Sequence, residues 1–166
     1  ESGKPLVVDA DALSLMAADD RIGQGDWVLT PHPGEAGRLL GVSAAEIQRD
    51  RFAALESLAA RYGGTVLLKG LGTVIQGEDH QGQQGRALIR EGNPGMASGG
   101  MGDVLTGVIA ALRGQGLTSY DAARLGAMIH ARAADACAAR RGPRGMLATD
   151  LLPYLRTELN ETCLAE

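Results

Sequence analysis

Between Asn93 and Leu112 the chain reads NPGMASGGMGDVLTGVIAAL. Ala97, Ser98, Gly99, Gly100, Met101 and Gly102 lead into an apolar helix expected from about Gly102 to Leu112, and the carboxylate of Asp103 stands at its start. Glycine costs roughly 0.5–1 kcal/mol against alanine in regular structure, so this density before a good helix former needs a reason, and ligand approach is one. Such a turn can aim several backbone N–H groups at one point, where the helix dipole adds positive potential, and that combination binds phosphate. A carboxylate there is repelled by phosphate unless it has a task. The task that fits is general base for a hydroxyl attacking the phosphorus. The local alternative is that Asp103 caps the helix and the glycines make a turn.

Lys69 ends the segment TVLLKG and is one of two lysines, against fourteen arginines. At the carboxyl end of a parallel strand it would face the crevice in which open α/β sheets bind ligands. The run Lys69, Gly70, Leu71, Gly72, Thr73 could then cradle a nucleotide, with Lys69 near phosphate and Thr73 hydrogen-bonding; the alternative is a surface lysine before a turn. His32 lies between two prolines in TPHPGE, with Glu35 close by. A rigidly posed histidine and a carboxylate at a strand end suggest substrate contact, or else a turn histidine with a helix-capping glutamate. Asp9 and Asp11 end a strand and could orient substrate or magnesium, or cap the helix that follows. His80, on a polar loop, and His130, on a helix, carry no motif and are assigned no chemistry.

These groups need a scaffold, and the pattern supplies one. Short apolar strands are expected at Leu6 to Val8, Trp27 to Thr30, TVLLKG, GTVIQG and RALIREG, with GEDHQGQQG as a hairpin tip between the last two. A helix begins near Glu35 after the Pro-His-Pro-Gly turn. SAAEIQRDRFAALESLAARYGG reads as one amphipathic helix, opened by the capping box of Ser43 with Glu46 and closed by Gly63 and Gly64. The alanine-rich stretch SYDAARLGAMIHARAADACAARRG is a further helix, and a last one starts near Thr149 or Asp150, with Pro153 in its first turn, and runs towards Cys163. Strands alternate with helices early and helices dominate late, which predicts an α/β layered fold with a mainly parallel sheet.

Composition excludes several classes. The 166 residues, 45% hydrophobic, suit a single domain with a real core. A formal net charge of −4 with scattered arginines gives no nucleic-acid footprint. Two cysteines, Cys137 and Cys163, make no disulfide framework and lack metal-ligand spacing, which fits a reducing cytoplasm. No apolar run approaches the roughly 20 residues that span a bilayer, so no membrane partner is expected.

Taken in order, VVDADAL, LTPHPGE, LLKGLGTVI and NPGMASGGMGDVLTGVIAAL resemble the ADP-dependent NAD(P)H-hydrate dehydratases of the ribokinase-like superfamily, along nearly the whole chain. The resemblance implies repair of nicotinamide coenzymes hydrated at carbon 6 of the dihydropyridine ring, driven by ADP, or ATP in eukaryotes, with release of AMP and phosphate. It assigns Asp103 as the base and the Ala97 to Gly102 turn as the anion hole. Lys69 to Thr73 with Gly102 become contacts of the adenylate, and His32 and Asp103, with Glu35 and Asp9, contacts of the hydrated substrate. Magnesium would accompany the nucleotide, with no residue marked as its ligand. A homo-oligomer, and in some bacteria an epimerase domain upstream, also follow from the family. Its domains run to roughly 250 residues, so this chain reads as the carboxyl-terminal part of one, inactive when alone. Two rival readings remain: a small-molecule kinase of the same superfamily, acting on a vitamin precursor or sugar, and a non-catalytic adenine-nucleotide-binding module.

Overall fold

The computed structural model of the chain describes residues 4–19, 22 and 24–163; the ESG that opens the sequence lies outside these, as do the side chains beyond residue 160, Cys163 included. Among the described residues β1 (Leu6–Val8), β2 (Trp27–Leu29), β3 (Thr65–Leu68), β4 (Thr73–Glu78) and β5 (Gln84–Ile89) form one sheet in chain order. β1, β2 and β3 pair in parallel, while β4 opposes β3, and β5 opposes β4. β5 therefore runs with the first three strands, and the sheet is mainly of one direction, as the alternation of elements predicts.

The helices cover both faces. α1 (Ala10–Ala18), α2 (Pro33–Leu40), α3 (Ala44–Arg49) and α4 (Arg51–Tyr62) enclose one core, where Leu13, Leu39, Ile47, Leu55 and Leu58 meet Val8, Leu29, Val66 and Leu68. α5 (Met101–Gly114) and α6 (Ser119–Arg141) cover the other, where Leu105, Ile109, Ala123 and Ala127 meet Val28, Leu67 and Ile75. Successive side chains of a strand point to opposite faces, so Val66 and Leu68 enter one core and Leu67 the other. That is why Val66, Leu67 and Leu68 are all apolar: the strand is buried on both sides. Each such side chain contributes roughly 1.5–3 kcal/mol by leaving water. A third cluster joins α5 and α6 to α7 (Leu152–Cys163), which follows a 3-10 turn at Ala148–Leu151.

Two expectations need correction. The stretch from Ser43 to Gly64 is not one helix. The capping box of Ser43 and Glu46 opens α3, but Asp50 leaves helical geometry (φ −144°) and its carboxylate accepts the Ala53 amide at 2.9 Å, starting α4 afresh. An aspartate able to cap a new helix outcompeted continuation of the old one. The last helix begins later than expected, at Leu152, because the residues from Ala148 first take the tighter 3-10 form. Pro153 is its second residue, where its missing N–H costs nothing.

Candidate active site

Three parallel strands end at one level. Val8 pairs with Leu29, the Thr30 amide donates to the Val8 carbonyl at 3.1 Å, and the Lys69 amide donates to the Pro31 carbonyl at 2.8 Å. This register sets Asp9, the turn from Thr30 to Glu35, and Lys69 side by side at the carboxyl ends of β1, β2 and β3, the edge at which open sheets hold ligands.

The side chains converge there. Lys69 Nζ donates to Asp9 Oδ1 at 2.7 Å and stands 3.8 Å from Glu35 Oε2. The Thr106 hydroxyl of α5 donates to Asp9 Oδ2 at 3.1 Å. Burial alone would push the Asp9 carboxyl up, but the Lys69 hydrogen bond and charge, with the hydroxyls of Thr30 and Thr106, outweigh it and hold Asp9 below the usual carboxylate range. Lys69 is thus not a plain surface lysine. Asp9 sits at the N-cap position of α1, yet its side chain makes no cap bond, because the lysine claims it. The next residue, Ala10, has φ +49°, a left-handed conformation rare for a residue with a side chain, so the chain bends sharply just where Asp9 must face inward. Asp11 is exposed in the first turn of α1.

His32 and Glu35 form the local structure that the capping alternative foresaw. The His32 Nδ1 accepts the amides of Gly34 and Glu35, at 2.9 and 3.2 Å, and the Glu35 carboxylate accepts the His32 amide at 2.8 Å. With Nδ1 an acceptor, the neutral ring carries its proton on Nε2, 3.4 Å from Glu35 Oε1. Half of the His32 side chain remains open to solvent while Glu35 is buried, so the pair serves as a cap and still offers one ring edge outward.

The glycine turn closes the other side. Gly100 is the N-cap of α5, in a left-handed conformation (φ +85°), and no side chain caps this end. The amides of Met101, Gly102 and Asp103 therefore belong to the donors that a helix leaves unpaired. The capping alternative for Asp103 does not hold: its carboxylate lies in the first helical turn, exposed. A Cβ on Gly102 would stand 3.3 Å from Asp9 Oδ2 and 3.5 Å from Lys69 Nζ, so the turn abuts the ion pair directly. Open space surrounds Gly99. Below the turn, the Ser98 hydroxyl donates to the Met146 carbonyl at 2.9 Å, and the Asn93 amide group to Asp135 at 2.9 Å. Ala97 is exposed, and the Met101 side chain is buried towards α6 and α7.

The segment from Lys69 to Thr73 is the hairpin loop between β3 and β4. The Thr73 hydroxyl donates to the Gly70 carbonyl at 3.2 Å and so closes the loop on itself, while Leu71 at the tip is 94% exposed.

Residues given no role in the sequence reading also reach the site. Thr106 lies one helical turn beyond Asp103 and reaches Asp9. His130 of α6 is buried, hydrogen-bonded at the backbone of Met101, and its burial lowers it to about 4, so it is neutral. The signal was present: His130 falls on the same stripe as Ala123, Ala127 and Ala134, all buried.

The sequence and the fold are similar to those of known proteins. The family model described as NAD(P)H-hydrate dehydratase matches residues 1–157. The bifunctional NAD(P)H-hydrate repair enzyme Nnr of Coxiella burnetii is 50% identical over 160 residues, which is 96% of this chain and 32% of that protein. The ADP-dependent (S)-NAD(P)H-hydrate dehydratase of Neisseria meningitidis is 41% identical over 160 residues, 92% of this chain and 52% of that protein. Among solved structures, the ADP/ATP-dependent NAD(P)H-hydrate dehydratase of Bacillus subtilis, co-crystallised with ATP and Mg2+, superposes with a TM-score of 0.82 at 30% identity, covering 95% of this chain and 55% of that one. The chain thus spans about a third to a half of the length of these relatives.

Proposed function

The chain belongs to the NAD(P)H-hydrate dehydratase family, and from that premise we propose that it carries the nucleotide and proton-transfer side of an ADP-dependent dehydratase acting on hydrated NADH or NADPH. The observation that carries this reading is the meeting at Gly102 of an uncapped helix N-terminus, the Lys69–Asp9 pair and the exposed carboxylate of Asp103.

Hydroxide is a poor leaving group, so the ring hydroxyl must first become a phosphate ester. Asp103 takes the hydroxyl proton as that oxygen attacks the β-phosphorus of ADP; the bond from β-phosphorus to the bridging oxygen breaks and AMP departs. The amides from Ala97 to Gly102 stabilise charge on the transferring group, and Gly102 with Lys69 to Thr73 holds the adenylate. Phosphate then leaves carbon 6 with the carbon–oxygen electron pair, pushed by the ring nitrogen, and loss of a proton from the neighbouring carbon restores the double bond. His32, with Glu35 and Asp9 behind it, positions the hydrated ring. The residues fit a magnesium ion carried by the nucleotide: among the described residues no cluster of three His, Cys, Asp or Glu makes a metal cage, and magnesium commonly binds through substrate phosphates, whose charge it neutralises.

The same reading implies a cytoplasmic homo-oligomer, fused in bifunctional proteins to an upstream epimerase, with neither nucleic acid nor membrane as partner. No described helix is long and apolar enough to cross a membrane. The test is to supply the full-length protein with hydrated NADPH and ADP and follow the near-ultraviolet absorbance of the dihydronicotinamide ring. Recovery of that absorbance with stoichiometric AMP supports the reading; transfer of phosphate to a vitamin precursor or sugar instead would replace it with a kinase.

A further inference from the structure

The loop from Lys69 to Thr73 holds together through a residue outside every motif. Arg51, the first residue of α4, lies beneath it. One guanidinium nitrogen donates to the Leu68 carbonyl at 2.9 Å and the Gly72 carbonyl at 3.1 Å; the other stands 3.5 Å from the Lys69 carbonyl and donates to Gln48 Oε1 at 2.8 Å. The two ends of the loop are thus tied to a single planar group. Contact is close from the other side as well, since a Cβ on Gly70, at φ +154°, would stand 2.6 Å from Arg51 Nη1.

Two consequences follow from the chemistry. The Leu68, Lys69 and Gly72 carbonyls turn to Arg51, that of Gly70 is taken by the Thr73 hydroxyl and the Lys69 amide by the Pro31 carbonyl, so the N–H groups of Gly70, Leu71 and Gly72 are the donors the loop can offer a ligand. Among the described residues Arg51 has no carboxylate partner; its acceptors are neutral, and its burial lowers its basicity. A cation without a counter-charge, set behind a loop of amide donors, favours an anion in front of it.

We propose that Arg51 is the positioning residue of this loop, fixing its span and adding positive potential for the phosphates of an adenine nucleotide, without touching the nucleotide itself. The inference rests on the nucleotide role of the loop proposed above. Lysine cannot reproduce it, because a point charge on a flexible stem cannot hold carbonyls at both loop ends.

The test uses the full-length protein with ADP as probe, in the variants Arg51→Lys, Arg51→Gln and Gly70→Ala, the last pressing on the same guanidinium from the loop side. By calorimetry each is expected to weaken ADP at least about tenfold, the scale of losing hydrogen bonds to a charged group. The KM for the hydrate should stay within about threefold, with near-ultraviolet circular dichroism unchanged. ADP affinity within about twofold of the parent in Arg51→Lys, or equal weakening of both ligands, would overturn the proposal. A parent that binds ADP but leaves the hydrate untouched would refute the repair reading while the Arg51 inference stood on the binding data.

Discussion

Two glycine-bearing segments face the same crevice and are held in opposite ways. The turn from Ala97 to Gly102 is the start of a long helix, supported from below by Ser98 on Met146, Asn93 on Asp135 and His130 at Met101, all neutral donors. The β3–β4 loop begins no helix of its own and is tied at both ends by one guanidinium from α4, with an ion pair at its first residue. One region spreads its support over many small contacts; the other concentrates it in charges that arrive from α4 and β1. The first should tolerate the loss of one contact, and the second should not.

The sharpest probe of the turn is its chemistry. Asp103→Asn keeps the shape and the amides but removes the proposed base, so turnover of the hydrate should fall by about 10²–10⁴-fold while ADP affinity is nearly kept. Near-normal turnover would leave the turn a binding device alone.

A smaller effect separates the supports beneath. His130 is lowered from 6.5 to about 4 by burial, so the folded state binds fewer protons than the unfolded chain between these values. Its contribution is complete above pH 6.5 and is lost as pH falls through about 4. The loss is on the order of 3 kcal/mol at most. Urea unfolding of His130→Gln, which can still donate to the Met101 carbonyl, should show that much less dependence on pH across this window than the parent. Identical slopes would mean that the histidine is not held neutral.

The least of the three concerns the ion pair. Lys69→Ala leaves the partly buried Asp9 carboxylate without its cation, which should cost on the order of 1 kcal/mol at neutral pH. Asp9 lies below its ordinary value, so its contribution is present above that value and disappears as pH falls through the lowered one. The variant should lack this acid-side loss, and Asp9→Asn on top of it should recover stability. Additive losses in the double variant would argue against coupling.

What the sequence made legible follows the same division. The turn, its helix and Asp103 are contiguous, so local pattern suffices to find them. The strands are legible because TVLL and its neighbours carry burial on both faces. The pairing of Lys69 with Asp9 spans sixty residues and depends on the parallel register of β1, β2 and β3, which no local pattern encodes. Arg51 was hidden for a related reason. Read as the middle of a single helix it would fall on the stripe of Ile47, Ala54, Leu55 and Leu58 with no task for its charge, and the break at Asp50 makes it a first residue that reaches the loop. His130 looked inert because a buried histidine leaves no motif; its trace was the alanine stripe it interrupts.

That stripe has a thermal consequence. Where α5 crosses α6, Gly126 lies so near Ile109 that a Cβ there would be 2.9 Å from its Cγ1, and Ala122, Ala123, Ala127, Ala131 and Ala134 are buried along the same helix. Alanine and glycine surrender almost no side-chain freedom on folding, whereas a lysine or arginine gives up about 1.5–2 kcal/mol of it. The seam that carries the glycine turn is therefore ordered at little side-chain entropic cost and should keep its position as temperature rises. The loop tied by Arg51 and Lys69 holds its order against the rotamers of two long side chains, so warming should loosen the β3–β4 loop before the turn at the head of α5.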